Sequence, residues 1–282
     1  MKNILKISGW QIKHQEKLIY QANKGTPIIA LKFFNYPNYH QNVKIDKLPA
    51  ECKLKNKEFN SYFVFQHKVG TKGTISLERI ISVVPITYSA NLNNNWGLIS
   101  DFPKVLKEKY KQNLKYWPIK SESIYSISKQ EWFRENDLFN WVHLASYKIK
   151  DILKYREKQE KRLGADQAIQ MSIGDCDEFT DLFITFARMR GIPCRRLTGY
   201  FIRNNGTSSE GHAWGEIFSQ RIGWIPVDLA LNNIGYHTTN YIILKIEEFN
   251  STLSDYQIRI KHTSTVHYKW VFPDPIFTPI FY

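Results

Sequence analysis

The segment 174–193 carries the start, the apolar face and the end of one helix, and this constrains the fold most strongly. Gly174 permits a sharp turn, and Asp175 can cap the first turn. Gly191 ends the helix, and Pro193 prevents its continuation. The apolar face comprises Phe179, Leu182, Phe183 and Phe186. The segment therefore predicts a well-bounded, buried helix.

Two predicted strands, 211–218 and 223–228, follow this helix and are joined by a short connection. If the pairing is symmetric about Gln220, His212 lies directly opposite Asp228. Cβ atoms of directly opposed residues are about 4.5–5.5 Å apart. Even-numbered residues of the hairpin then share one face of the sheet. The hairpin therefore predicts a carboxylate beside an imidazole.

Cys176 lies in the first turn of the predicted helix, where free backbone N–H groups favour a thiolate. Asp177 and Glu178 follow it directly and oppose that ionisation. A basic partner is therefore needed to activate the thiol, and imidazole is the usual one. Taken alone, Cys176 fits a buried structural cysteine better than a nucleophile, because free cysteine is among the most buried residue types. With His212 and Asp228, it can complete a triad of nucleophile, base and orienting acid.

The rest of the chain divides by pattern into a β-rich, a helical and a second β-rich part. The predicted N-terminal strands cover 26–34, 42–45, 61–68 and 74–85. Residues 137–155 predict an amphipathic helix with Asn136 as its N-cap, and 263–272 predict a late strand. We expect a β-rich domain over 1–97, a catalytic domain over 98–246, and a C-terminal β extension over 247–282 that packs on the catalytic core.

Composition excludes several classes of protein but identifies none. The chain of 282 residues is 43% hydrophobic, which is enough for a core, and its formal net charge is +13. The charge is compatible with an anionic partner or with a lysine-rich surface, and no nucleic-acid recognition motif accompanies it. Three scattered cysteines without a C-x-x-C pair argue against a disulfide framework and a structural zinc site. No apolar stretch is long enough to span a membrane.

Five short motifs follow one another along the chain in an order that is typical of a known family. They are Gly-Asp-Cys at 174–176, Arg-x-x-Gly-Ile-Pro-Cys-Arg at 188–195, Gly-Tyr at 199–200, His-Ala-Trp-x-Glu at 212–216 and Gly-Trp-x-Pro-Val-Asp at 223–228. In this order they resemble the transglutaminase-like superfamily, whose core is papain-like with a Cys-His-Asp triad. The resemblance implies an α+β fold in which a β-sandwich-like N-terminal region precedes a helical part carrying Cys and an antiparallel sheet carrying His and Asp.

The resemblance assigns Cys176 as nucleophile, His212 as base and acid, and Asp228 as the orienting carboxylate. Other candidates for the site are substrate-binding side chains near the triad. These candidates are Trp141, Trp214, Glu216 and Trp224. For Trp141 core packing is the alternative, because it lies on the apolar stripe of its helix. For Glu216 and Trp224 the alternative is a contact between neighbouring strands.

The expected function is a thiol-dependent enzyme that forms an acyl-enzyme at an amide carbonyl, of the peptidase or amidase type. Amine transfer (cross-linking), deamidation and a non-catalytic peptide- or glycan-binding module are the alternatives. No cofactor or metal is expected, because no Asp-x-Asp-x-Asn-Gly calcium loop occurs. The expected partner is a protein or peptide, with cell-wall peptide among the candidates. The absence of a signal-peptide pattern favours the cytoplasm.

Overall fold

The computed structural model describes residues 7–23, 28–35, 41–50, 52–57, 60–83, 95–157, 161–203, 208–236, 238, 240–249, 266–271 and 276–281. The N-terminal strands are β1 (Ile7–Ala22), β2 (Ile28–Asn35), β3 (Gln41–Lys47), β4 (Lys53–Lys57), β5 (Asn60–Lys68) and β6 (Lys72–Val83). The central elements are α1 (Lys104–Tyr110), α2 (Glu122–Ser128), α3 (Leu138–Ile152), β7 (Lys154–Tyr155), α4 (Ala165–Met171), β8 (Ile173–Gly174) and α5 (Cys176–Met189). The remaining strands are β9 (Cys194–Arg203), β10 (Ser208–Ser219), β11 (Gly223–Asp228), β12 (Asn233–Ile234), β13 (Tyr241–Glu247), β14 (Val266–Val271) and β15 (Ile276–Phe281).

The N-terminal region is a sandwich of two antiparallel sheets, as the sequence predicts. One sheet has the order β14-β1-β6-β3, and the other has the order β2-β5-β4. Leu18 and Leu77 of the first sheet pack against Ile29 and Phe65 of the second in a shared core. Strand β1 was not predicted, although its alternation of buried and exposed residues has the period of two typical of a strand.

The C-terminal strands join this N-terminal sheet. Strand β14 pairs with the second half of β1, from Lys17↔Val271 to Ala22↔Val266, and β15 pairs with its first half. The expectation that 247–282 packs on the catalytic core is therefore wrong for these strands. The reason is that one edge of β1 pairs with β6 and the other edge pairs with β14 and β15, and local sequence patterns do not reveal a pairing between residues so far apart in the chain.

A second antiparallel sheet, of order β12-β11-β10-β9-β13, forms the other half of the molecule together with the helices. Helix α5 packs against β10 and β9, and the fully buried Phe183 and Ile184 join Ile217 and Ile225 of the sheet in one core. This is the α+β arrangement that the resemblance implies, with Cys176 on a helix and the other two triad candidates on the antiparallel sheet.

Contacts across the two halves are specific. The side chain of Gln41 on β3 donates to the Ile243 carbonyl at 2.6 Å and accepts from the Ile243 N–H at 3.0 Å. Trp10 and Ile12 of β1 share a buried cluster with Ile202 and Ile242 of the second sheet. The edge strand β13 is thereby covered by the N-terminal sandwich.

Two predicted helix starts have different outcomes. Asp175 caps α5 as predicted and forms a reciprocal capping box with Glu178. Helix α3 is capped by Asp137, whose side chain accepts from the Asn140 N–H at 2.9 Å, so the prediction of Asn136 is wrong by one residue. In the described part of the chain, no helix combines the length and apolarity needed to cross a membrane.

Candidate active site

The first turn of α5 holds Cys176 in a fixed position. The Asp175 side chain accepts from the Asp177 N–H at 2.9 Å, and the Glu178 carboxylate accepts from the Asp175 N–H at 3.1 Å. Glu178 also accepts from the Leu163 N–H at 2.8 Å, which ties the helix start to the preceding loop. This capping box leaves the Cys176 N–H unused by the cap.

The thiol faces the edge of β10 at the point where β11 has ended. The ladder between these strands stops at Gly215↔Val227, so Ala213 lies beyond it. The Ala213 backbone donates a hydrogen bond to the Cys176 sulfur, and one turn further along α5 Thr180 Oγ1 donates to the Ala213 carbonyl at 3.1 Å. Both backbone groups of Ala213 are therefore directed at the helix, which places the sulfur beside residue 212.

His212 and Asp228 are in direct contact, as the sequence predicts. Nε2 of His212 is 2.6 Å from Oδ2 of Asp228, and both residues are buried. The predicted register is wrong, because the ladder pairs Phe218 with Trp224 and is symmetric about residue 221. The shift amounts to two residues on one strand, so the even-numbered residues still share a face and the two side chains meet diagonally.

The Asp228 carboxylate accepts hydrogen bonds from three groups among the described residues. Besides His212, the Leu231 N–H donates to Oδ1 at 3.1 Å, and the hydroxyl of Tyr241 donates to Oδ2 at 2.8 Å. A buried carboxylate needs such donors, because ionisation without them is very costly. Sequence reasoning missed Tyr241, which lies on β13 and which no local signal connects to the hairpin.

The imidazole has one ring nitrogen turned away from the acid. Because Nε2 is directed at Asp228, Nδ1 is the atom available to a thiol. In the described chain, no hydrogen bond joins Cys176 to His212. Burial, followed by the charges of Asp177 and Asp175, raises the pKa of Cys176 to about 12, which Ala213 and Arg196 only partly offset. The resting site therefore holds a neutral thiol.

A buried network of charges supports the helix start. The guanidinium of Arg196 on β9 contacts the carboxylate of Asp177 and lies 3.4 Å from Asp181 and 3.6 Å from Glu247. Arg162 binds Asp181 through two nitrogens, at 2.6 and 2.7 Å. Although burial opposes ionisation, Arg196 lowers the pKa of Asp177 below its ordinary value. The Arg196 guanidinium is therefore engaged by the acids of α5.

Two of the four other candidates, Trp141 and Trp214, are tryptophans packed in the interior. Trp141 is fully buried against Phe183 in the helical core, so the prediction that it binds substrate is wrong and core packing holds. Trp214 is also fully buried and stacks on the His212 ring, with centroids 5.8 Å apart. These two indoles lie where the periodicity of their elements buries them.

Glu216 and Trp224 are both engaged by one arginine. The fully buried Glu216 carboxylate is 2.6 Å from the Arg195 guanidinium. That guanidinium lies over the half-buried indole of Trp224, 3.9 Å from its centroid. The prediction of a substrate contact is therefore wrong for Glu216, because the cross-strand ion pair occupies its carboxylate. For Trp224 it stays a prediction.

Among the described residues, Cys176 and the two carboxylates that flank it form a group of three potential metal ligands. The ligand atoms of Asp175, Cys176 and Asp177 lie within 4.8 Å of one another. Two of these groups already have other roles, because Asp175 caps the helix and Asp177 pairs with Arg196. The group therefore gives no support for a metal-dependent mechanism.

Comparisons with known proteins agree with this geometry. The family model of the transglutaminase-like superfamily matches residues 123–229, which include Cys176, His212 and Asp228. Among curated proteins, none matches the sequence.

One solved structure shares the fold at low identity, and a second is similar to a smaller extent. A "putative cysteine protease" from Cytophaga hutchinsonii is 15% identical, with a TM-score of 0.61 over 97% of this chain and 94% of that one. The periplasmic domain of TgpA from Pseudomonas aeruginosa, bound to ethylmercury, is 12% identical, with a TM-score of 0.40 over 82% and 91%. The family match therefore assigns residues 123–229 to a transglutaminase-like core, and the first likeness shows that the fold of the chain is shared with that solved structure.

Proposed function

We propose that the protein is a thiol-dependent acyl-transfer enzyme with Cys176 as nucleophile, His212 as general base and acid, and Asp228 as the orienting carboxylate. One observation carries the proposal. His212 Nε2 binds Asp228 at 2.6 Å, while the Cys176 sulfur is held by the backbone of the adjoining residue, Ala213. This order of sulfur, imidazole and carboxylate is the one that nucleophilic catalysis by a triad requires.

The proposed reaction begins with transfer of the Cys176 thiol proton to Nδ1 of His212. The thiolate attacks the amide carbonyl carbon, and the resulting C–N bond cleavage releases an amine that takes its proton from the imidazolium. The product is a thioester on Cys176. Water then gives a proton to the imidazole and attacks the thioester, the C–S bond breaks, and the proton returns to the sulfur. Asp228 stabilises the imidazolium in both steps.

The developing oxyanion needs a donor, for which we propose the Cys176 N–H. The capping box uses other first-turn groups and leaves this N–H free of the cap. A donor at a helix start also gains from the helix dipole. It is therefore placed for the carbonyl oxygen of a substrate whose carbon is attacked by the same residue's sulfur.

Hydrolysis of an amide in a protein or peptide is the outcome we propose, and amine transfer is the alternative. Both pass through the same thioester, so the two differ only in whether water or an amine reaches it. A glutamine-containing peptide offered with and without a primary amine separates them by mass. Peptide cleavage or ammonia release without amine incorporation supports hydrolysis, whereas incorporation shows transfer.

The role of His212 can be tested by competition between two thiols of the same chain. Cys52 and Cys176 are both partly accessible, whereas Cys194 is buried. Burial raises the pKa of Cys52 to about 11, which is below that of Cys176. Without help from an imidazole, iodoacetamide should therefore modify Cys52 at least as fast as Cys176.

We expect the reverse order in the unmodified protein, with Cys176 at least about tenfold faster because His212 accepts its proton. In His212→Ala that advantage should disappear while the rate at Cys52 stays unchanged. Peptide mass mapping of a labelling time course measures both rates. Equal rates in the unmodified protein would refute the catalytic proposal and favour the binding module.

A further inference from the structure

We propose that Tyr241 is a positioning residue of the active site that holds the Asp228 carboxylate in place for His212. Its hydroxyl donates to Oδ2 of Asp228 at 2.8 Å, and the same oxygen is 2.6 Å from Nε2 of His212. The phenol and the imidazole therefore share one carboxylate oxygen. Tyr241 lies outside residues 123–229, so the site extends beyond the part of the chain that matches the family model.

The hydroxyl is itself oriented by a second strand. Asn233 on β12 donates from Nδ2 to the Tyr241 oxygen at 3.1 Å. This leaves the hydroxyl hydrogen to point at Asp228. A continuous series of hydrogen bonds thus runs from the Asn233 amide through the phenol and the carboxylate to the imidazole.

The ring of Tyr241 is fixed by packing, which makes the hydroxyl a precise donor. Only 1% of the residue is exposed, and its ring contacts Trp214 at 5.1 Å and Phe201 at 5.0 Å between centroids. The same two side chains lie against His212. Burial, and next the charge of Asp228, raises the pKa of the Tyr241 hydroxyl far above its ordinary value, so it stays a donor throughout the working pH range.

Charged and titratable groups face Asp228 from three elements. They are His212 on β10, Tyr241 on β13 and Lys150 on α3, which acts through its charge. Hydrogen bonds to a carboxylate favour its charged form. Loss of the Tyr241 hydroxyl leaves Asp228 with two of its three donors, so the carboxylate is held less firmly. It is also freer to turn away from the imidazole.

This inference rests on the proposed function, and Tyr241→Phe tests it with two readouts. The substitution removes one oxygen and keeps the ring packing. We expect the rate constant of Cys176 with iodoacetamide at pH 7 to fall about tenfold, since a hydrogen bond to a charged group has that order of effect. In ¹⁵N spectra, the single Nε2–H tautomer of His212 should give way to a mixture.

Tyr110→Phe is the matched control. This buried tyrosine also donates to a buried carboxylate, that of Glu248, but near the other end of α5. It should lower stability without changing the Cys176 rate or the His212 signals. If both variants lose stability, and neither changes the rate of Cys176 modification or the ¹⁵N spectrum of His212, then Tyr241 has only a structural role and the inference is wrong.

Two further results keep the inference separate from the proposed function. If iodoacetamide modifies Cys176 no faster than Cys52 in the unmodified protein, the catalytic proposal fails. The ¹⁵N spectrum of His212 in Tyr241→Phe still shows whether Tyr241 positions Asp228. If Tyr241→Phe does not fold, Asn233→Ala replaces it, because that change removes the donor to the phenol and should produce the same changes at smaller size. Unchanged His212 signals in a folded Asn233→Ala protein would count against the series of hydrogen bonds.

Discussion

At the scale of single residues, the neighbours of Cys176 on its own helix oppose its ionisation. Asp175 and Asp177 raise the pKa of the thiol, whereas Arg196 lowers it. The sequence predicts that these carboxylates oppose ionisation of the thiol, since they adjoin the cysteine in the chain. It does not reveal the compensation, because Arg196 is 19 residues from Asp177 and reaches it only when β9 packs on α5.

Asp177→Asn should therefore make Cys176 more reactive. The change removes a negative charge close to the sulfur and lowers the pKa of the thiol, while Arg196 keeps Asp181 and Glu247 as partners. We expect iodoacetamide to modify Cys176 about threefold faster at pH 8, in keeping with a loss of one nearby like charge. Cys52 serves as the internal control and should not change. A slower rate at Cys176 would show that Asp177 acts chiefly by positioning the helix.

At the scale of elements, helix α5 and the hairpin β10–β11 differ in how far sequence predicts them. Both ends of α5 follow from local chemistry, namely the capping box at Asp175 and the positive φ of Gly191, 71°. The alternation of side chains along the two strands of the hairpin is also a local property, and it puts His212 and Asp228 on the same face of the sheet. The register is not local, because the loop Gln220–Ile222 and packing on α5 decide which residues pair.

The capping box makes the stability of the fold depend on pH through Glu178. Burial raises the pKa of this carboxyl from 4.5 to about 7. The folded state therefore holds a proton that the unfolded state has lost, so the free energy of unfolding falls as pH rises from about 4.5 to 7.

Glu178→Gln should remove this component, because the amide does not titrate. Its single oxygen keeps one of the two acceptors that Glu178 offers to the Leu163 and Asp175 N–H groups, and the loss of the other lowers stability equally at both pH values. Urea unfolding at pH 5 and at pH 7.5 measures the free energy of unfolding of both proteins. Because the other titrating groups are the same in the two proteins, their contributions cancel in the difference. A difference that does not change between the two pH values would contradict the role assigned to Glu178.

At the scale of the whole molecule, the sandwich and the catalytic sheet are joined by buried contacts. Gln41 satisfies both backbone groups of Ile243 on the edge strand β13, which also carries Tyr241. The sandwich therefore contributes indirectly to the site by fixing the strand that positions Asp228.

Gln41→Ala should destabilise the protein by about 2 kcal/mol or more, because it leaves a buried N–H and a buried C=O without partners. Asn42→Ala is the control, since Asn42 is the exposed neighbour on the same strand. Thermal and urea unfolding measure both changes. If Gln41→Ala and Asn42→Ala unfold alike, the contact between β3 and β13 does not stabilise the molecule.

The sequence by itself determined the helix that carries Cys176, the hairpin, and the shared face of His212 and Asp228, because caps, turns and strand parity act over a few residues. Only the tertiary structure decided the hairpin register, the position of the sulfur at the Ala213 backbone, the partnership of Tyr241 with Asp228, and the return of β14 and β15 to β1. These features join residues far apart in the chain, and their free energy comes from packing and from hydrogen bonds between elements.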